Sequence, residues 1–142
     1  MMTKLSTVTL AFGKFLKKTD QKNPRKKRTQ SLRDFHNLYV KNKLITGVAE
    51  RKNTLIDYAV GKGGDLPKWI YSNLSFVFGI DKSKNNLEDR LDGACVRYLN
   101  SRKMNKYIPY ALFVNGDSSY NIKNGAAMLN DKAVQITKAI FG

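Results

Sequence analysis

The stretch Leu55-Ile56-Asp57-Tyr58-Ala59-Val60-Gly61-Lys62-Gly63-Gly64-Asp65-Leu66-Pro67-Lys68-Trp69 gathers residue types that could do chemistry. An apolar run enters a glycine-rich turn, and Pro67 suits the first turn of a helix, where its missing N–H needs no partner. Glycines in such a turn take positive φ without strain and let a ligand approach the backbone. The helix start beyond it presents free N–H groups. Asp81 ends the next apolar run, FVFGID, twenty residues after Gly61. At that offset an acidic residue meets a ribose hydroxyl pair in nucleotide-binding α/β folds. A carboxylate accepts both hydroxyl hydrogens and repels an extra phosphate. The phosphate-loop pattern G-x-x-x-x-G-K with a following Ser or Thr is not met, because Lys62 stands between glycines. Asp57 and Asp65 around the turn suit a ligand with a cationic centre better than a polyphosphate. The plainer alternative is a tight turn with surface aspartates.

These residues need strands to aim them and helices to carry the chain between strands. Residues 54–60 (TLIDYAV), 76–81 (FVFGID) and 110–115 (YALFVN) predict three buried strands. A helix from Pro67 to about Leu74 joins the first two, and one helix over 84–102 joins the next two. On the second helix Leu87, Leu91, Ala94, Cys95, Tyr98 and Leu99 share an apolar stripe, which places Cys95 in the core. This order predicts an α/β fold with a parallel sheet and right-handed crossovers. Upstream, Ser31 with Asp34 three residues later predicts a capped helix start. Leu32, Phe35, Leu38, Tyr39 and Ile45 carry that helix to about Val48, with Asn37 and Lys41 as neighbours on it. Downstream, Asn124-Gly125 between short apolar segments predicts a β-hairpin, and 132–141 predicts a last helix.

Composition narrows the partners. The chain has 142 residues, 42% of them hydrophobic, with 26 Lys+Arg against 11 Asp+Glu and a formal charge of +15. Nucleic acid or nucleotides are the expected partners, a charged lipid surface being the weaker match. One cysteine and one histidine exclude a disulfide framework and a multi-ligand zinc site; no metal is expected. No run reaches the roughly 18 apolar residues of a membrane span. Leu5 to Leu16 is broken by Lys14 and lacks a small-residue cleavage site, so it is not read as a signal peptide and an intracellular protein is expected. Residues 17–30 (KKTDQKNPRKKRTQ) carry almost nothing apolar. They are expected to form a basic, flexible arm, either a solvated linker or a phosphate-contacting segment.

VGKGGDLPKW, preceded by LIDYA and followed by FGIDKS, resembles motif I of the messenger RNA cap (guanine-N7) methyltransferases. RDFHNLYVKNKLI (33–45) is similar to the helix that precedes motif I in that family. RLDGACVRYLN (90–100) and NGDSS (115–119) fit the branch found in multi-domain capping enzymes of large nucleocytoplasmic DNA viruses. The resemblance runs from Ser31 to Gly142, leaving residues 1–30 as a separate arm. It implies an incomplete Rossmann-like S-adenosylmethionine-dependent methyltransferase fold, of about three sheet strands plus the hairpin. One departure is visible: the family usually has Gly or Ala and then Cys where this chain has Ala59-Val60.

The resemblance also implies roles. Lys41 would contact the methionine carboxylate of S-adenosylmethionine, and Asn37 the cap ribose. Ala59, Gly61 and Asp65 would line the methionine part, with Asp65 facing its amino group. Asp81 would hold the cofactor ribose, and Asp117 with Ser118 would read the adenine. Lys62, and Arg97 with it, would face the cap phosphates. On their own residue types, Asn37 and Lys41 also fit a solvated helix face, and Asp117 a turn cap. His36 is taken as structural or surface, and Lys84, Lys103 and Lys106 as solvated charges whose contact with RNA stays open.

The implied reaction is methyl transfer to N7 of the cap guanine, which is already nucleophilic. No acid–base pair is found and none is required; positioning and electrostatics carry such a reaction. The family's later strands and guanine-recognising residues are not found here. The chain is therefore expected to be the cofactor-binding half, inactive alone. Its expected partners are the capped mRNA 5′ end and the rest of a capping enzyme: the missing methyltransferase half, the guanylyltransferase and the triphosphatase. The implied location is the host cytoplasm, in a viral factory, or the virion. Two other readings remain: another S-adenosylmethionine-dependent methyltransferase, and a non-enzymatic basic nucleic-acid-binding protein.

Overall fold

The computed structural model describes residues 29–49 and 53–142, so the expectations for residues 1–28 lie outside the described residues. The chain divides into two units, Met1–Ile45 and Thr46–Gly142.

In the first unit the described chain is helical. It comprises α1 (Gln30–Phe35), a π-helical segment (His36–Val40) and the start of α2 (Lys41–Val48). Ser31 lies inside α1, and the residue before the helix is Thr29, which makes no side-chain cap. The predicted capping box therefore does not form. A capping residue needs extended backbone, and Thr29 is already near-helical at φ −86°, ψ −4°. Asp34 instead accepts a hydrogen bond from Gln30 Nε2, one turn back. Phe35 and Tyr39 stack at 5.3 Å between centroids.

The second unit is built on β2 (Phe76–Asp81), whose run FVFGI leaves no polar face. Val77, Phe78, Gly79 and Ile80 are all buried, as the centre of a parallel sheet requires. It pairs in parallel with β1 (Thr54–Asp57) on one side and β3 (Tyr110–Asn115) on the other, giving the order β1-β2-β3. On one face Trp69, Leu74, Val77, Leu87, Ala94 and Tyr98 form a core closed by Phe113. The Tyr98 and Phe113 rings meet edge to face at 6.0 Å. On the other face Phe78, Ile80, Val114, Met128 and Ala133 pack together, with Phe141 against Phe78 at 5.3 Å. Gly79 permits this sheet. A Cβ there would stand 2.8 Å from the Phe113 ring and 3.0 Å from Val60 Cγ2.

The predicted α/β parallel sheet is present, with β2 and β3 at the predicted bounds. Local polar groups move several other boundaries. The first strand stops at Asp57, whose carboxylate accepts from Ala59 N–H and folds 58–59 into a turn. The helix α3 (Leu66–Tyr71) ends before Leu74 because Asn73 takes φ +54°. The Leu74 N–H then reaches back to Trp69 O, and Asn73 N–H to Ile70 O, a left-handed C-terminal cap.

The helix predicted over 84–102 is two, α4 (Lys84–Glu88) and α5 (Ala94–Met104). The Asp89 carboxylate accepts from the N–H groups of Leu91 and Asp92, which turns the chain between them. The break re-phases the apolar stripe. Leu91 is 91% exposed, Leu99 is exposed, and Cys95 is exposed rather than in the core.

The predicted hairpin reduces to one antiparallel bridge, Gly116 to Met128. Gly125 takes φ +83° as a tight turn asks, but Asn124 does not take positive φ. Side-chain turns replace it, with Asn121 Oδ1 accepting from Asn124 N–H and Asn124 Oδ1 from Ala126 N–H. The last helix, α6 (Asp131–Phe141), is capped by Asn130, which accepts from Ala133 N–H.

Candidate functional site

Because the three strands are parallel, their C-terminal ends share one end of the sheet. In the pairing register Asp57 lies beside Gly79, and Asp81 beside Asn115. That end carries the glycine turn after β1, the Asp81 loop after β2 and the Asp117 loop after β3. Most of the predicted site residues sit there.

The turn depends on two left-handed glycines, Gly61 at φ +56° and Gly63 at φ +73°. They do different work. A Cβ on Gly63 would lie 3.5 Å from Ala94 Cα, in ordinary contact, so this glycine packs against the start of α5 and is required there for its φ. A Cβ on Gly61 or Gly64 would meet nothing within 4 Å, so these two border open space. Ala59 is exposed beside them.

Asp81 is joined to the turn directly: Gly61 N–H donates to its Oδ2 at 2.8 Å. Its Oδ1 accepts from Ser83 N–H at 2.8 Å and Asn86 Nδ2 at 3.1 Å. An ionised carboxylate has about four acceptor positions, so a ligand hydroxyl must take the remaining one or displace an internal donor. Asn115 Nδ2 braces the same loop by donating to the carbonyls of Asp81 and Lys82, each at 3.0 Å.

Asp65 precedes α3, and its carboxylate accepts from Lys68 Nζ at 2.7 Å. The two side chains are only 15% and 12% exposed. The role expected of Asp65 was to face a ligand amino group, and an ammonium of its own chain now faces it.

Asp117 has the same kind of arrangement. Lys82 Nζ lies 2.7 Å from its Oδ2, while Ser119 donates its N–H and its hydroxyl to Oδ1. The Lys82 bond, then the Ser119 bonds, hold the Asp117 carboxyl well below its ordinary range, at about 2. Asp117 in turn raises the Lys82 ammonium. Ser119, not Ser118, is the serine bonded to Asp117, and Ser118 is exposed beside it.

Lys62 and Arg97 come together through Asp92, a residue with no signal in the sequence. Asp92 takes Lys62 Nζ on Oδ1 at 2.6 Å, and Arg97 approaches Oδ2 at 3.9 Å. Lys68, Lys82 and Asp92 are thus the additions that the structure makes. Lys68 had a signal, its spacing of three from Asp65 on a helix. The pairs Lys82–Asp117 and Lys62–Asp92 span separate elements and left none.

Asn37 and Lys41 belong to the first unit, Asn37 within the π-helical segment and Lys41 at the first position of α2. Both are half-buried. Among the described residues, no helix is long and apolar enough to cross a membrane.

The residues fit an adenosyl ligand: an open glycine edge at Gly61 and Gly64, with part-exposed carboxylates on all three loops. Comparison with known proteins points to a methyltransferase domain. The family model described as an mRNA (guanine-N(7))-methyltransferase domain matches residues 6–141, beginning upstream of Ser31. Over 87 residues, 61% of the chain, it is 36% identical to a probable mRNA-capping enzyme of Acanthamoeba polyphaga mimivirus. Over 53 residues, 37% of the chain, it is 38% identical to mRNA cap guanine-N(7) methyltransferase 1 of Arabidopsis thaliana. These matches span 7% and 14% of the two relatives' lengths. With the glycine turn, the acidic strand ends and a match over nearly its whole length, the chain belongs to the mRNA (guanine-N7)-methyltransferase family.

Proposed function

We propose that this chain forms the cofactor-binding half of a domain that transfers a methyl group from S-adenosylmethionine to N7 of the mRNA cap guanine. The observation that carries this is the direct bond from Gly61 N–H to Asp81, which ties an open glycine edge to a ribose-type carboxylate. When bound, S-adenosylmethionine supplies a methyl group on a positively charged sulfur. The residues' own work is to bind and orient. Asp81 accepts the ribose hydroxyls, while Gly61 and Ala59 keep the methionine side free of bulk. Asp65 takes the amino group in exchange for Lys68, and Asp117 with Ser118 meets the adenine. Lys62 and Arg97 exchange Asp92 for the cap phosphates. For Lys41 at the methionine carboxylate and Asn37 at the cap ribose, the support is the family resemblance of their helix. No proton needs to move, since guanine N7 is nucleophilic as it stands. The proposed partners are capped mRNA and the remainder of a capping enzyme, with its guanylyltransferase and triphosphatase, in the host cytoplasm or the virion.

The test is calorimetric titration of the chain with S-adenosylmethionine, repeated with Asp81→Ala and with Lys84→Gln as a surface control. The expected result is saturable binding that Asp81→Ala abolishes while circular dichroism shows the fold retained. Equal binding by Asp81→Ala and the wild type would remove the proposal.

A further inference from the structure

The opposite end of the sheet carries a second surface. The parallel strands begin there, about 20 Å from the glycine turn for six residues of strand. It is formed by the N-terminal residue of β3, the C-terminal turn of α5 and the loop that joins them. Tyr110 is 70% exposed and Tyr107 43%. The Arg102 guanidinium stands 6.0 Å from the centre of the Tyr110 ring. Lys103 and Lys106 are exposed on the same stretch. Between Asp92 and Asp117 the sequence holds four cations, Arg97, Arg102, Lys103 and Lys106, and no carboxylate.

The helix dipole accounts for part of this, since Arg102 and Lys103 lie in the last turn of α5. It does not account for Lys106, or for tyrosine rings held at the surface. The Tyr107 ring is held through its hydroxyl, and Tyr110 through its backbone. The Tyr107 hydroxyl donates to Leu74 O, and Tyr110 N–H donates to Ser75 O at 3.0 Å. The Tyr107 ring, tied by its hydroxyl, loses little freedom when something stacks on it, and the Tyr110 ring already has the Arg102 guanidinium over it.

We infer that Tyr107, Tyr110, Arg102, Lys103 and Lys106 form a binding surface for single-stranded RNA, separate from the cofactor cleft. The chemistry is phosphate contact by the lysines together with base stacking on the tyrosine rings and the arginine plane, which does not depend on sequence. An acidic peptide would match the charge and leave the rings idle. A duplex would bury its base faces within its own stack. The inference does not depend on what the cleft binds.

The experiment is fluorescence anisotropy of the full chain with a labelled, uncapped oligouridylate of about 12 nucleotides, at several salt concentrations. Tyr110→Ala should weaken binding about 5- to 100-fold, and Tyr110→Phe should restore it. The double variant Lys103→Gln/Lys106→Gln should flatten the log–log salt slope by about 1.4. The control Lys123→Gln/Lys138→Gln removes the same charge elsewhere and should change the slope less. Wild-type affinity in both Tyr110→Ala and the Lys103/Lys106 variant would overturn the inference. So would an equal loss in the control, which would mean that net charge alone binds the RNA. Titration of the same variants with S-adenosylmethionine reports separately on the cleft.

Discussion

The two ends of this sheet hold their charges in opposite ways. At the C-terminal end the candidate-site carboxylates already have partners in the chain: Lys68 on Asp65, Lys82 on Asp117, and three donors on Asp81. At the N-terminal end cations and tyrosine rings stand open to solvent. A ligand at the first end takes the acceptor position left on Asp81 or replaces internal bonds, so its own groups must match them. A ligand at the second adds to a surface, so it binds through charge and stacking. The contrast gives an immediate expectation: cofactor affinity changes little with salt, whereas RNA affinity falls steeply.

The largest effect is expected where a pair is least exposed. Lys68→Met removes the ammonium from Asp65 and leaves a carboxylate that is only 15% exposed. It should cost about 2–3 kcal/mol of unfolding free energy in urea. An unchanged urea midpoint would mean that groups other than Lys68 satisfy Asp65.

The glycine turn comes next. Gly61→Ala puts a Cβ into open space but onto a backbone at φ +56°. The strain should cost about 1–2 kcal/mol. Since no neighbour is touched, the loss should be conformational only, and the added methyl should also weaken S-adenosylmethionine in calorimetry. Gly63→Ala meets Ala94 in ordinary contact, so the same strain there should leave cofactor binding less affected.

How much of this was legible in the sequence depended on range. Strand β2 was readable to the residue because five apolar residues in a row admit few other structures. The offset marked Gly61 and Asp81 as parts of one ligand site, but the bond between them left no signal in the sequence. The break in the predicted 84–102 helix was hidden, because an Asp carboxylate turning the chain back on its own N–H groups leaves the apolar spacing intact. For the same reason Cys95 lies on the apolar stripe in sequence but at the surface in the structure: the turn resets the phase of the stripe. Lys82 and Asp92 were invisible as site residues because their partners come from other strands and helices.

Acid should separate the two ends as well. The Asp117 carboxyl is held at about 2, below its ordinary range. A lowered carboxylate contributes stability that is full above its unfolded value, roughly 4. That contribution fades as pH falls toward the folded value. Loss of the Lys82–Asp117 contact is therefore expected between about pH 4 and pH 2. Lys82→Met should raise the Asp117 carboxyl toward the ordinary value, read by carbon-13 NMR. A titration curve that Lys82→Met does not move would assign the shift to Ser119 alone.

The smallest effect on stability, and the sharpest on function, belongs to Asp92. Its contacts with Lys62 and Arg97 are solvent-exposed, with side chains 36–46% accessible, so Asp92→Asn should change stability by less than about 1 kcal/mol. Its charge nevertheless sits where the proposed cap phosphates would sit. Removing that charge while keeping the shape should leave Lys62 and Arg97 in place with no anion between them. Affinity for a cap analogue or for pyrophosphate should then rise, while S-adenosylmethionine affinity stays constant. If anion affinity falls instead, Asp92 acts by holding the two cations in position rather than by competing for them. The cleft would then be preorganised in the way the tyrosine surface is, and the contrast between the two ends would shrink to Asp65 and Asp117.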